Sequence, residues 1–454
     1  MHYKFNYDYS KTLWMKMYLA DPDFENNRSK VYINFESALE IIKAVDNMTQ
    51  GIQKIIYLVG WQGLGHDDCY PVMEKVNDWL KRDCDADGKE SLLWLIEEAK
   101  KYNTVVSFHG NVADAYEDSD FHDEFVAANA LCNGLDGKPA VIEVFNGRNA
   151  YKTSYKQFWD SGLFKKIIDR FCAAVPVREA GTVHLDNFCL AESLNPQTFI
   201  EEQDEARNKM LDYLRSLGID VTTEGNWREA HFRADSPDHP IRKLYETTGE
   251  PLPECKPTDV PMRVLGKCPA VWWLGGMSIE ECVNTPPSVF SGCHVDSALK
   301  PVFYRAMHGE DIWSKYGNDP KDWGPAFLKE FCTCQLPYFY LSRYQCLRYE
   351  ENAEAEGAKK YTVYFSEDVV TRAKDLSISK NGIVLKQGND VILPLTEENK
   401  TFIAYSENGR SGKWNMPDAV DAIANLYEIT VDGNRFIGKM NIVDGQIELN
   451  LTAG

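Results

Sequence analysis

The feature that most constrains the fold of this chain is a short apolar run that ends in a polar turn. Residues 55–59, IIYLV, are apolar and rich in β-branched side chains, which is typical of a buried strand. The turn that follows contains Gly60, Trp61, His66 and Asp67. Polar groups at the end of a buried strand are costly unless they are hydrogen-bonded or bind a ligand. This turn is therefore a candidate binding site.

The same pattern recurs, with helical signals between the strand signals. An amphipathic helix is predicted within 201–218, where Gly218 ends it. Alternating strands and helices are typical of a parallel sheet. In a (β/α)8 barrel the active site lies at the carboxyl ends of the strands, so polar residues there should converge. Three more predicted strands are followed by polar residues: 104–108 by His109 and Asn111, 181–185 by Asp186, and 219–223 by Glu224.

A doubly wound sheet would also bind ligands at its strand ends. However, the sequence contains no glycine-rich loop of the kind that binds phosphate. We therefore predict an α/β fold, a (β/α)8 TIM-type barrel followed by a C-terminal all-β sandwich.

A change in composition near residue 350 divides the chain. The segment ENAEAEGAKK lacks large apolar residues, and apolar residues beyond it recur with a period of two, broken by Asn-Gly and Asp-Gly turn signals. The predicted parts are an N-terminal segment at 1–50 that packs on the barrel, the barrel at 51–345, a linker at 346–360 and the β-sandwich at 361–454.

Charge and hydropathy restrict the partners. The net charge is −20, which disfavours nucleic acid and anionic membranes as ligands. No window reaches the roughly 18 apolar residues of a membrane-spanning helix, and the N-terminus shows no signal peptide. We therefore expect a cytoplasmic location. Cys332 and Cys334 are separated by a single residue, which matches no standard zinc spacing, so we predict no metal and no cofactor.

Asp186 and Glu224 are the candidate catalytic pair. They end successive predicted strands, and glycoside hydrolysis requires two carboxylates that flank the scissile bond. Nearby Trp227 would exclude water and raise the pKa of an acid. The alternative is that both are ordinary strand-end carboxylates that pair with Arg or Lys.

Other candidate residues have structural alternatives of their own. His66 and Asp67 either bind a sugar or begin a helix. Trp61, Trp272 and Trp273 either stack on a sugar ring or belong to the core. The segment MHGEDIW, at 307–313, either approaches the site from a late loop or begins a helix.

The chain resembles the catalytic core of glycoside hydrolase family 101, the endo-α-N-acetylgalactosaminidases. The matching stretches include VGWQGLGHDDCYP, LLWLIEEAKKYNTVVSFHGNVADAYEDS, FNGRNAYKTSYKQFWDSG, AGTVHLDNF, RSLGIDVTTEG and AMHGEDIW. Together with SENGRSGKWNMP and LYEITVDGNRF they span most of residues 51–454.

The resemblance implies retaining cleavage of O-linked Galβ1-3GalNAc from Ser or Thr, with Asp186 as nucleophile and Glu224 as acid/base. It implies that His66, Asp67, His109 and Asn111 bind the sugar in the glycone pocket. The substrate is expected to be an O-glycan, a glycopeptide or a short glycan. Two alternatives stay open: an exo-acting α-N-acetylgalactosaminidase or α-galactosidase, and a glycan-binding barrel without turnover.

Overall fold

The computed structural model describes residues 5–8, 11–145, 147–186, 188, 191–223, 271–272, 306–307, 319–341, 343–344, 346–351, 361–372, 374–398 and 400–454. Its first elements are β1 (Leu13–Tyr18), β2 (Ala20–Asp23), β3 (Arg28–Val31), α1 (Phe35–Met48), β4 (Lys54–Val59), α2 (Gly88–Ala99), β5 (Thr104–Asn111), β6 (Asp114–Tyr116), α3 (His122–Ala127), β7 (Val141–Phe145) and β8 (Arg148–Lys152). They continue with α4 (Tyr155–Asp160), α5 (Leu163–Ala174), α6 (Val177–Ala180), β9 (Thr182–Asp186), β10 (Ser193–Leu194), β11 (Gln197–Thr198), α7 (Ile200–Ser216), β12 (Asp220–Thr223), β13 (Val271–Trp272) and β14 (Ala306–Met307).

The C-terminal elements are α8 (Pro320–Glu330), α9 (Leu336–Leu341), β15 (Cys346–Glu351), β16 (Tyr361–Phe365), β17 (Val369–Arg372), β18 (Ser377–Lys380), β19 (Ile383–Gln387) and β20 (Asp390–Pro394). The last are β21 (Phe402–Ser406), β22 (Arg410–Asn415), β23 (Ile423–Thr430), β24 (Gly433–Asn441) and β25 (Gln446–Leu451). None of the helices in these described ranges is long and apolar enough to cross a membrane.

A parallel sheet of seven strands positions the candidate site. Its order is β13-β12-β9-β5-β4-β1-β14, and every neighbouring pair is parallel. Except at the β14 edge, neighbours in space are also neighbours among the sheet's strands in sequence, as in successive β-α units. The predicted α/β class with a parallel sheet is confirmed, whereas closure into an eight-stranded barrel stays a prediction.

The two faces of this sheet differ in chemistry. Successive side chains of a strand point to opposite sides of the sheet, so the two faces can differ. One face is apolar and packs against the helices. The other face is polar or aromatic, except on β4, where Ile55 and Val59 are apolar as well. Residues on the apolar face include Met15, Ile56, Leu58, Val106, Phe108, Val183, Leu185 and Val221. Buried residues on the other face include Trp14, Lys16, Tyr57, Ser107, His109, Thr182, His184 and Thr222.

The predicted boundary at residue 51 is wrong. The segment before it contributes β1, which lies inside the sheet between β4 and β14 and pairs with β4 along its whole length. The sequence LWMKMY does not show the continuous apolar run of a buried strand, because every second side chain, Trp14, Lys16 and Tyr18, lies on the polar face of the sheet.

The C-terminal region is all-β, as predicted. Strands β15 to β21 form a seven-stranded antiparallel sheet, and β22 pairs with β25. A small core joins β20 to this pair through Ile392, Trp414 and Ile447, so Trp414 buttresses the fold. The turn at Asn381 and Gly382 has the positive φ angles, 50° and 77°, that its Asn-Gly signal predicts.

The predicted linker at 346–360 is partly wrong. Residues Cys346–Glu351 form β15 and pair with β16 in the antiparallel sheet. The charged ENAEAEGAKK segment overlaps the end of this strand and continues beyond the described residues.

Candidate active site

Asp186 and Asn111 lie side by side at the carboxyl edge of the parallel sheet. The registers pair Asn111 with Asp186 and, one layer deeper, His109 with His184. Asp186 is the last residue of β9, and its side chain is 18% exposed. Its Oδ2 lies 3.6 Å from Nε2 of His109, which is almost fully buried. The edge therefore presents an accessible carboxylate with an imidazole beside it.

The turn after β4 brings His66 and Asp67 to this edge. Gly60 makes the turn possible: its φ is +75°, and a Cβ there would lie 2.2 Å from the Ala20 carbonyl oxygen. The backbone N–H of His66 donates to the same carbonyl at 2.8 Å. The ring centroids of His66 and His109 are 5.3 Å apart, so the structure brings the predicted His residues together.

Asp67 sits in a strained and crowded position. Its φ is +56°, and its Oδ2 lies 3.5 Å from Nε2 of His66. Burial raises the pKa of the Asp67 carboxyl; His66 opposes this, whereas the negative charges of Asp186 and Asp114 add to it. Charged carboxylates crowded together at one edge are typical of functional sites.

Two tyrosines border Asp67, and the sequence reasoning missed both. Tyr70 follows the same turn, and Tyr116 ends β6 in a three-stranded sheet inserted after β5. Their rings are 6.1 Å apart. Burial and then the charge of Asp67 raise the pKa of both phenols, so both stay protonated and can donate hydrogen bonds. The only signal was their place in DDCYP and VADAYED, near predicted strand ends.

For Trp61 the structure shows the core alternative, and Asn111, which the resemblance placed in the glycone pocket, is buried as well. Trp61 is fully buried, packs its ring 4.7 Å from that of Phe108, and donates through Nε1 to the His109 carbonyl oxygen at 2.8 Å. It supports β5 from beneath and offers no free face to a sugar. Asn111 is buried, and its side chain binds the backbone N–H groups of Ala113 and Asp114 and the Asp114 carboxylate.

Several predicted residues lie outside the described residues. These are Glu224, Trp227, Trp273 and the segment 308–313. Trp272 lies in β13, which pairs in parallel with β12.

Among the described residues, one group could in principle hold a metal: Asp68, Cys69 and Asp118. Arg148 already supplies the positive charge there, with Nη1 2.7 Å from Asp118 and 3.3 Å from Asp68. Burial also raises the pKa of the Cys69 thiol, which disfavours the thiolate that a metal needs. This cluster is an ion-paired structural group.

A protein-family model matches the part of the chain that contains the turn after β4 and strand β5. Residues 24–155 match the family 101 glycoside hydrolase model, described as endo-alpha-N-acetylgalactosaminidase. The resemblance is confirmed over this stretch. It contains the turn with His66 and Asp67 and the strand with His109. None of the curated proteins compared with this chain matches it.

Solved structures of glycoside hydrolases are also similar. The ligand-free α-N-acetylgalactosaminidase NagBb from Bifidobacterium bifidum is 13% identical, with a TM-score of 0.48 over 81% of this chain and 58% of that chain. Its GalNAc complex gives a TM-score of 0.46 at 13% identity, over 82% and 57%. The α-galactosidase TtGalA from Thermus thermophilus with stachyose gives 0.30 at 13% identity, over 47% and 39%. The chain thus spans less than two thirds of these proteins.

Proposed function

We propose that this protein is a retaining glycoside hydrolase that cleaves α-linked GalNAc, most specifically Galβ1-3GalNAc on Ser or Thr. The observation that carries the proposal is the position of Asp186 at the carboxyl edge of the sheet, beside His109 and next to the family-matched turn. The family match supports glycosidase chemistry. The substrate and the mechanism are our inference.

In the proposed mechanism Asp186 attacks the anomeric carbon and forms a glycosyl-enzyme. Glu224, one residue after β12, donates a proton to the departing Ser or Thr oxygen. It then takes a proton from the water that releases the sugar. Because β12 neighbours β9, the two carboxylates would start from adjacent strands. A retaining enzyme needs them about 5–5.5 Å apart.

The sugar-binding roles follow from the side chains that surround Asp186. His66 and Asp67 offer a donor and an acceptor to sugar hydroxyls at the same edge. His109 lies beside the Asp186 carboxylate, with Nε2 3.6 Å from Oδ2. Tyr70 and Tyr116 keep their protons, and Tyr116 can donate to Asp67, which would fix the orientation of Asp67 for the sugar.

The experiment is hydrolysis of matched p-nitrophenyl α-glycosides of Galβ1-3GalNAc, GalNAc and Gal. We expect release from the disaccharide and retention of the α-anomer in the first product, observed by NMR. Asp186→Asn and Glu224→Gln should each lower turnover by roughly a thousandfold or more. The control is Asp160→Asn, because Asp160 is more than half exposed and pairs only with surface Lys156 among the described residues.

Each result separates one alternative. Release from a monosaccharide alone would support an exo-acting enzyme. Glycan binding without hydrolysis, unchanged in Asp186→Asn, would support a binding protein. Near-normal turnover of Asp186→Asn would remove Asp186 as the nucleophile.

A further inference from the structure

A buried layer of polar side chains lies directly beneath the candidate nucleophile. His109, His184 and Thr222 occupy matching positions on β5, β9 and β12, because the registers pair His109 with His184 and His184 with Thr222. His184 precedes Asp186 by two residues, so its side chain lies on the same face of β9, one layer deeper. No role in the mechanism above uses His184 or Thr222.

The contacts of His184 fix its ring from several sides. Its Nδ1 is 2.8 Å from the Thr222 hydroxyl, a hydrogen bond between fully buried groups. Its ring stacks on that of His109, with centroids 5.3 Å apart and planes inclined by 25°. The Tyr57 ring lies 5.5 Å away from it. Buried polar contacts of this kind rigidify a site when they are satisfied.

Of the two stacked rings, that of His109 lies beside the Asp186 carboxylate. His109 Nε2 is 3.6 Å from Asp186 Oδ2, so rotation of the His109 ring would alter the surroundings of the attacking oxygen. Because the two imidazole rings stack, a change in the orientation of His184 would also change the orientation of His109.

We propose that His184, fixed by Thr222, is a positioning residue that holds the His109 imidazole against the Asp186 carboxylate. This inference rests on the proposed function, since it assigns the layer a role in nucleophile placement. A displacement of a catalytic group by about 1 Å can lower the reaction rate about a hundredfold. A hydrogen bond that fixes the His184 ring would limit displacements of this size in the His109 ring stacked on it.

The test replaces the Thr222 hydroxyl, which leaves both histidines in place. Thr222→Val removes the hydrogen bond and keeps the shape, whereas Thr222→Ser keeps the hydroxyl. With the best p-nitrophenyl glycoside, Thr222→Val should lower kcat on the order of tenfold with KM within about twofold of wild type. Thr222→Ser should stay within about twofold of wild type in kcat. The control is Thr104→Val, which removes another buried hydroxyl, bonded to the Tyr102 carbonyl at the far end of β5.

A second readout does not require activity. In protein labelled with 15N-histidine, Thr222→Val should shift the ring nitrogen signals of both His184 and His109, and Thr222→Ser should leave them near wild type. Unchanged kcat in Thr222→Val, an equal loss in Thr104→Val, or an unmoved His109 signal would each overturn the proposal. If the wild-type protein hydrolyses no α-glycoside, the proposed function fails, and the His109 signal alone then decides whether His184 positions it.

Discussion

Asp67 and Asp68 are adjacent carboxylates in opposite electrostatic settings. Asp68 is buried but accepts a hydrogen bond from the Leu64 N–H at 2.7 Å and pairs with Arg148. Asp67 has a strained φ and a pKa raised first by burial and then by neighbouring acids. A carboxyl kept in such a setting weakens the fold and is typical of a residue retained for binding.

We therefore predict that Asp67→Asn stabilises the protein while it weakens substrate binding. The unfolded chain releases the Asp67 proton at a lower pH than the folded chain does. Between those two pKa values the unfolded state binds fewer protons, so the free energy of unfolding falls as pH rises. At pH 7 Asp67→Asn should raise the melting temperature by about 1–2 °C, and the gain should shrink toward pH 4. The KM for the glycoside should rise about tenfold or more.

The neighbouring carboxylate is the matched control. Asp68→Asn should lower the melting temperature, since it weakens the ion pair with Arg148 in a buried setting. Calorimetry across the pH range measures both variants. If Asp67→Asn and Asp68→Asn are destabilised alike, our account of Asp67 is wrong.

At the scale of elements, the end of β4 supports β5 through Trp61. Its indole contacts Phe108 of β5 and Phe171 of α5, at ring distances of 4.7 Å and 5.9 Å, and binds the His109 carbonyl. Trp61→Phe should lower the free energy of unfolding by about 1–3 kcal/mol, because a buried hydrogen bond and part of the packing are lost. Denaturant titration measures this. The KM should change less than twofold.

The control for Trp61 is Trp79→Phe, since Trp79 is 53% exposed and should tolerate the change. A sugar-stacking Trp61 would behave in the opposite way. Its replacement would raise KM strongly and leave the stability near wild type.

Parts of these elements could be predicted from the sequence, and others could not, for physical reasons. The run 55–59 is apolar on both faces, and the observed strand, Lys54–Val59, agrees with it to within one residue. The strand at Leu13–Tyr18 was missed because its side chains on the polar face of the sheet interrupt the apolar pattern. The contribution of Tyr116 depends on an inserted sheet that no local pattern reveals. The burial of Trp61 follows from its contact with α5, more than a hundred residues away along the chain.

At the scale of the whole molecule, one continuous core joins the parallel sheet to the C-terminal β-region. Helices α8 and α9 lie between them, and buried side chains from both regions belong to the same cluster, among them Met48, Phe331, Leu336, Val363 and Leu393. Direct bonds add to this. The Asn47 side chain donates to the Val431 carbonyl at 2.8 Å, and Lys11 pairs with Glu397 at 2.9 Å.

The shared core predicts that the two regions unfold together. Calorimetry of the full chain should show a single transition, because neither region can lose its partner without exposing apolar surface of α8 and α9. A chain ending at Tyr344 should aggregate, since it leaves Phe331 and Leu336 without the strands that cover them. A chain ending at Leu451 is the control, because Thr452 to Gly454 are exposed and should be dispensable. Two separate transitions, or a monomeric and folded fragment ending at Tyr344, would show instead that the β-region is an independent module attached to the catalytic sheet.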